Sequence, residues 1–255
     1  MEAARQAGVL LNVIACTAMI SACEKGYQWR RAVRQLTEAR YMGITPNVFS
    51  YNAAASACEN GQCWEGALEL FEVARRAAVE PDEITCSAVI SACEKGRQWE
   101  IVMRVLDKAP ALGIAPHVIT CNAAISACEK GREWQPALLL LSEVSLLPSG
   151  GLLDMTTYNA AVSACEKGHC WEEAVSLTAQ ARQVGISLDV VTYSAVMSAC
   201  SGAAPVGHWE LVLSTLHAME LEHLALDAIV CGVAIGACAG ARRRWAAAAG
   251  LLAAM

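Results

Sequence analysis

The sequence predicts an all-α solenoid, a stack of antiparallel helix pairs repeating about every 35 residues. Three observations predict it. The string SACEKG occurs at Ser21, Ser91, Ser126 and Ser163, with SACENG at Ser56 and weaker copies, SACSGA and GACAGA, at Ser198 and Gly236. Successive copies lie 35, 35, 35, 37, 35 and 38 residues apart. All seven Trp (Trp29, Trp64, Trp99, Trp134, Trp171, Trp209 and Trp245) follow just downstream of these copies. A fixed period of this length marks a repeat array, in which each unit buries its apolar face only against its neighbours.

Repeats start at Val13, Val48, Glu83, Val118, Met155, Val190 and Ala228, which gives units 13–47, 48–82, 83–117, 118–154, 155–189, 190–227 and a partial 228–255. The extra residues of the fourth and sixth units fall in turns, around Pro148 to Gly151 and Ala203 to Gly207. Residues 1–12 resemble the tail of a preceding repeat, since ARQAGVLLN parallels ARYMGITPN at Ala39 to Asn47. The chain therefore reads as a stretch of a longer array.

Within each unit two helices are expected. Tyr51, Ala54, Ala55 and Cys58 fall at i, i+3, i+4 and i+7, one apolar stripe of a first helix. Trp64, Ala67, Leu68 and Phe71 form the stripe of a second. Gly61 between them reads as a helix stop, and Gly43, Gly113 and Gly185 read as the ends of second helices. Pro136 suits a first helical turn, and Pro110, near the end of another helix, is expected to kink it. Small Ala and Cys residues on the first helix allow close nesting. The Trp of the second helix is expected to cover the joint as a core residue, not to stack on a base.

Composition narrows the function. Hydrophobic residues make up 55% of the chain, much of it Ala and Cys, yet no long apolar run lacks a charge or a breaker, so no membrane span is expected. Residues 1–12 carry Glu2 and neither a signal-peptide core nor an Arg/Ser-rich transit pattern. The thirteen Cys are odd in number, include no CxxC pair and repeat with the period, so they read as reduced, buried apolar residues, not as disulfides or a zinc site. The five His occur singly, and no carboxylate cluster suggests a metal. No metal, cofactor, small-molecule substrate or catalytic constellation is expected. The net charge of −6 opposes nonspecific attraction to nucleic acid.

VVTYSAVMSAC at Val190, VITCNAAISACEKG at Val118 and MTTYNAAVSACEKG at Met155, with GITPN at Gly43 and GIAPH at Gly113, resemble the pentatricopeptide repeat over residues 12 to 255. Trp at the start of the second helix departs from that family's common consensus, as a subfamily variant would. The resemblance implies a right-handed superhelix with first helices on its concave side. It also implies modular recognition of single-stranded RNA, about one base per repeat, in a mitochondrion or chloroplast.

The resemblance also assigns roles by place in the repeat. The fifth residue meets the base edge: Thr17, Asn52, Ser87, Asn122, Asn159 and Ser194, with Gly232 the exception. The last residue tunes the choice: Asn47, Asp82, His117, Asp154, Asp189 and Asp227. An apolar second residue lies against the base: Ile14, Phe49, Ile84, Ile119 and Val191, with Thr156 and Ile229 at the same place. A thirteenth-place Lys approaches phosphate: Lys25, Lys95, Lys130 and Lys167. Under the family's code these pairs spell A-U-N-U-U-G from the 5′ end, Ser87 with His117 fitting no rule.

Other readings of the same residues stay open. Asn and Ser near a helix start, and Asp before one, are also what helix capping selects. Lys at a helix C-terminus complements the helix dipole. A solenoid also binds peptides, so a protein-interaction scaffold is the alternative function, with other proteins as partners.

Overall fold

The structure, a computed structural model, describes residues 12–114, 118–145, 154–202, 208–222, 224 and 228–240, without the side chains of 229 and 238–240. Among the described residues there are thirteen α-helices and no strand. First helices are α1 (Val13–Lys25), α3 (Val48–Asn60), α5 (Glu83–Lys95), α7 (Val118–Gly131), α9 (Met155–Lys167), α11 (Val190–Gly202) and α13 (Ala228–Gly240). Second helices are α2 (Trp29–Tyr41), α4 (Trp64–Arg76), α6 (Trp99–Lys108), α8 (Trp134–Ser145), α10 (Trp171–Gln183) and α12 (Trp209–Leu221). The chain divides into two compact units, Met1–Ala127 and Cys128–Met255.

The same stacking is found within each unit. First helices of successive repeats pack directly on one another, α1 on α3 on α5 in one unit and α9 on α11 on α13 in the other. Second helices α2, α4, α10 and α12 each pack on their own first helix and on the next. Small side chains permit this closeness. In α3, Tyr51, Ala54, Ala55, Ala57 and Cys58 are at most 1% exposed. Ala67, Leu70, Phe71 and Ala74 of α4 complete that layer, with Leu68 only partly buried. A helix apolar on so many sides belongs between two neighbours.

Side-chain capping marks the start of five first helices. Asn12, Asn47, Asp82, Asp154 and Asp189 each accept a hydrogen bond from the backbone N–H three residues on, at 2.8–3.0 Å. Second helices end as expected at Gly43, Gly113 and Gly185, whose φ values of 74°, 72° and 82° are left-handed. Pro110 opens a short 3₁₀ turn after α6 stops at Lys108.

Two expectations need correction. Gly61 does end α3, as its C-terminal cap, but its φ is −86° and it is not the left-handed residue. The next residue, Gln62, takes φ 54°, and Tyr27, Arg97, Arg132 and His169 do the same after their own glycines. The glycine is there for room. A Cβ on Gly61 would lie 2.8 Å from Cγ of Trp29, and one on Gly168 would lie 3.0 Å from Cγ of Trp134. Each indole thus closes over the glycine of the following repeat. The Trp themselves are not deep core. All six described Trp are partly exposed, and Trp29, Trp64 and Trp134 lid the turn of the following repeat instead of entering the layer between the helices.

The thiols follow the layer. Cys58, Cys93, Cys128, Cys165 and Cys200 are fully buried, and Cys16, Cys86, Cys121 and Cys231 lie on the same inner face. Cys23, on the first described helix, is only partly buried, as are Cys63 and Cys170.

Candidate nucleic-acid interface

The second place of each repeat presents apolar side chains to solvent. Ile14, Phe49, Ile84, Ile119 and Val191 are 58–77% exposed, each at the same point of a first helix. An apolar residue left out of the core in five repeats is not a folding requirement. Between Ile84 and Ile119 lies an open cavity of about 370 Å³, which Ser87 also lines. Thr156, exposed and polar, interrupts the series in the fifth repeat.

The fifth place sits one residue round from the buried stripe, and where it is Asn it is pinned by the last residue of its own repeat. Asn52 Nδ2 donates to Asp82 Oδ2 at 2.9 Å. Asn159 Nδ2 donates to both carboxylate oxygens of Asp189, at 3.3 and 3.2 Å. Capping and site-building are therefore one arrangement: Asp82 Oδ1 caps α5 while its other oxygen holds the amide of Asn52. Burial alone would raise the Asp189 carboxyl, but hydrogen bonds from the Thr192 N–H and hydroxyl and from Asn159 outweigh it and hold the group below its ordinary value.

In the first repeat the pair is Thr17 and Asn47. Thr17 meets Ser50 Oγ at 2.7 Å, and Ser50 in turn donates to Asn47 Oδ1 at 3.0 Å. Ser87, Asn122 and Ser194 are partly buried at the same place, and Asp154 caps α9 through Thr157. His117 and Asp227 lie outside the described residues.

The thirteenth-place Lys are less free than their spacing implied. Lys95 Nζ pairs with Glu59 at 3.1 Å, and Lys167 Nζ with Glu129 at 2.6 Å. The same carboxylates accept from Ser91 and Ser163, at 2.8 and 3.0 Å. Ser126 donates likewise to Glu94. The Ser and Glu of SACEKG thus form a latch from α5, α7 and α9 to the first helix before each, and Lys95 and Lys167 join it. No signal within one helix could reveal this, because the partners stand about one period apart. Burial raises the carboxyl of Glu166, whose hydrogen bond from Ser198 continues the series and only partly offsets that rise. Lys25 and Lys130 are exposed.

Among the described residues no group of His, Cys, Asp or Glu could hold a metal ion, and no helix is long and apolar enough to cross a membrane. The site is therefore a row of repeated positions, each an exposed apolar residue beside a fixed polar one.

The pentatricopeptide repeat domain matches residues 1–60 and 69–130, and the pentatricopeptide repeat matches residues 156–186. The chain belongs to the pentatricopeptide repeat family. Its fold is similar to that of the pentatricopeptide repeat protein PPR10 from maize, with a TM-score of 0.65 and 26% identity over 95% of this chain and 34% of that one. PPR10 in complex with an 18-nt psaJ RNA element aligns at a TM-score of 0.50 and 19% identity, over 100% of this chain and 41% of that one. The pentatricopeptide repeat domain of Arabidopsis thaliana protein-only RNase P 1, in complex with tRNA, gives 0.60 and 14%, over 71% of this chain and 95% of that domain. The chain thus spans about a third of the length of the maize protein. Among curated proteins none matches.

Proposed function

We propose that this pentatricopeptide repeat chain binds single-stranded RNA, one base per repeat in the frame 13–47, 48–82, 83–117, 118–154, 155–189 and 190–227, in organellar RNA processing or expression. The observation that carries the reading is the coupling of two series: exposed apolar second-place residues, and fifth-place residues held by the last residue of the same repeat. Ile84 and Ile119 offer faces between which a base can lie, and Asn52 and Asn159 offer amides for its edge. RNA bound to PPR10 and tRNA bound to the RNase P domain, both on this fold, support RNA as the partner class. The chain acts as a binding scaffold, not as a catalyst. Mitochondria or chloroplasts are the proposed setting.

Thr17 with Asn47 reads A, and Asn52 with Asp82, Asn122 with Asp154 and Asn159 with Asp189 read U. Ser194 with Asp227 reads G, and Ser87 with His117 is left unassigned. Six contacts at about 1–3 kcal/mol each, less the cost of ordering a flexible strand, give affinity on the order of micromolar. Lys95 and Lys167 approach phosphate only by leaving Glu59 and Glu129, so the electrostatic share is small.

Selection from randomised RNA followed by sequencing tests the reading, with A-U-N-U-U-G as the expected enrichment. Changing Asn159→Thr and Asp189→Asn together should move the fifth letter from U to A. If U persists in that double variant, or if no sequence is enriched, the one-base-per-repeat reading fails and a protein-binding scaffold replaces it.

A further inference from the structure

We infer that the third residue of each repeat is a positioning residue for the base letter read by the preceding repeat, an inference that rests on the one-base-per-repeat reading above. The third-place residues are the most deeply buried polar side chains described: Ser50, Thr85, Thr157 and Thr192 are at most 1% exposed, and Thr120 is 5% exposed. Each hydroxyl of Ser50, Thr85 and Thr192 touches two groups at once. One is the last-place residue just before it, Asn47, Asp82 or Asp189, at 2.8–3.0 Å. The other is the fifth-place residue of the repeat before: Ser50 on Thr17, Thr85 on Asn52 and Thr192 on Asn159. Three described repeat pairs in two units share these two contacts, and in two of them the bond from Asn52 to Asp82 or from Asn159 to Asp189 closes a triangle.

The chemistry of the triangle decides which way the amide faces. A carboxylate only accepts, so Asp82 and Asp189 draw Nδ2 of Asn52 and Asn159 towards them. The hydroxyls of Thr85 and Thr192, with one proton each, share it between the last-place carboxylate oxygen and the amide oxygen, so the amide oxygen is the atom turned towards the hydroxyl. One amide N–H is engaged and the carbonyl faces the hydroxyl, which leaves the second N–H as the donor for a base. A donor fixed in this way suits a base that presents a carbonyl oxygen, as uracil does. Without the hydroxyl, the carbonyl of Asn52, in a side chain only 7% exposed, would lose its partner and the amide would gain freedom to turn. Discrimination would then fall while the stacking surface of Phe49 and Ile84 stayed intact.

The test uses the full chain and fluorescein-labelled A-U-A-U-U-G RNA, with the second and fifth letters replaced in turn by A, C and G. Thr85→Val, which keeps the volume, should lower the preference for U at the second letter by about tenfold and leave the fifth letter unchanged. Thr192→Val should do the reverse. Thr85→Ser, which keeps the hydroxyl, should restore the preference. Thermal unfolding of each variant is measured beside it, since a purely structural role lowers stability and weakens every RNA alike. If Thr85→Val and Thr192→Val bind all letters more weakly with unchanged ratios, or keep full preference, the third-place inference is overturned and the base-readout reading stands. If the wild-type chain itself shows no preference at either letter, both are overturned.

Discussion

The indole of Trp64 fills the space in which a side chain on Gly96 would begin, since a Cβ there would lie 2.8 Å from its Cγ. Gly96 has φ −81°, a conformation open to any residue, so the demand for glycine is steric alone. Gly96→Ala should therefore destabilise the chain by about 1–3 kcal/mol through overpacking. Trp64→Ala in the same chain should recover part of that loss, and a double-mutant cycle by chemical denaturation measures the coupling. Strict additivity of the two changes would remove the lid assignment.

The latch gives a prediction of opposite sign for stability and binding. Glu59→Gln should cost little in stability, under about 1 kcal/mol, because the pair with Lys95 is partly solvated. It should also free Lys95 for phosphate. RNA affinity should then rise and its dependence on salt should steepen, and Lys95→Ala in that background should reverse both. Titrations at several salt concentrations check this; an unchanged salt slope in Glu59→Gln would rule out phosphate contact by Lys95.

Phe49 separates binding from folding most cleanly. At 70% exposure it contributes little to the core. Phe49→Ala should leave the melting temperature nearly unchanged and weaken RNA binding by about 1–3 kcal/mol. Equal binding by the variant would count against stacking at the second place.

Thiol ionisation sets a limit at alkaline pH. Burial is the first cause that pushes Cys58, Cys93 and Cys165 up to about 12, and Cys86, Cys128 and Cys200 up to about 11. These thiols have an ordinary value of 9.0. A pKa raised by folding gives stability that is complete below the unfolded value, so the contribution is whole below pH 9.0 and drains away as pH rises towards 12. The unfolding midpoint should fall over that window, and Cys93→Ala should fall less steeply. In the native chain at neutral pH, Cys23, Cys63 and Cys170 should alkylate before Cys93 or Cys128, as mass spectrometry of timed labelling would show.

Much of this was legible in the sequence because a repeat announces itself. Seven Trp in one register and the SACEKG copies locate every described helix start, and the i, i+3, i+4, i+7 stripe of Tyr51, Ala54, Ala55 and Cys58 names the inner face. The fifth and second places could be named from the resemblance. What stayed hidden were contacts between residues about one period apart. Thr85 reads as an ordinary helix-start residue, Glu59 and Lys95 as solvated charges, and Gly61 as a helix stop. Each has its partner on another helix, so helical periodicity carries no trace of it. The burial of Trp was overestimated for the same reason: its register fixes which side of the helix it takes, not how much of the neighbouring turn covers it.

Contacts between neighbours run at nearly constant sequence offset: Trp29 to Gly61, Asn52 to Thr85, Glu59 to Ser91. A crossover between two gene copies that adds or removes whole periods, wherever in the unit it falls, rebuilds all three at the junction, because each side chain asks only for a Gly, a hydroxyl or a Ser in the matching register. Duplication then lengthens the lineage's array without any compensating substitution. The residues that differ between units, Thr17, Asn52, Ser87 and Asn159 among them, can drift independently against a scaffold that accepts every rearrangement in phase.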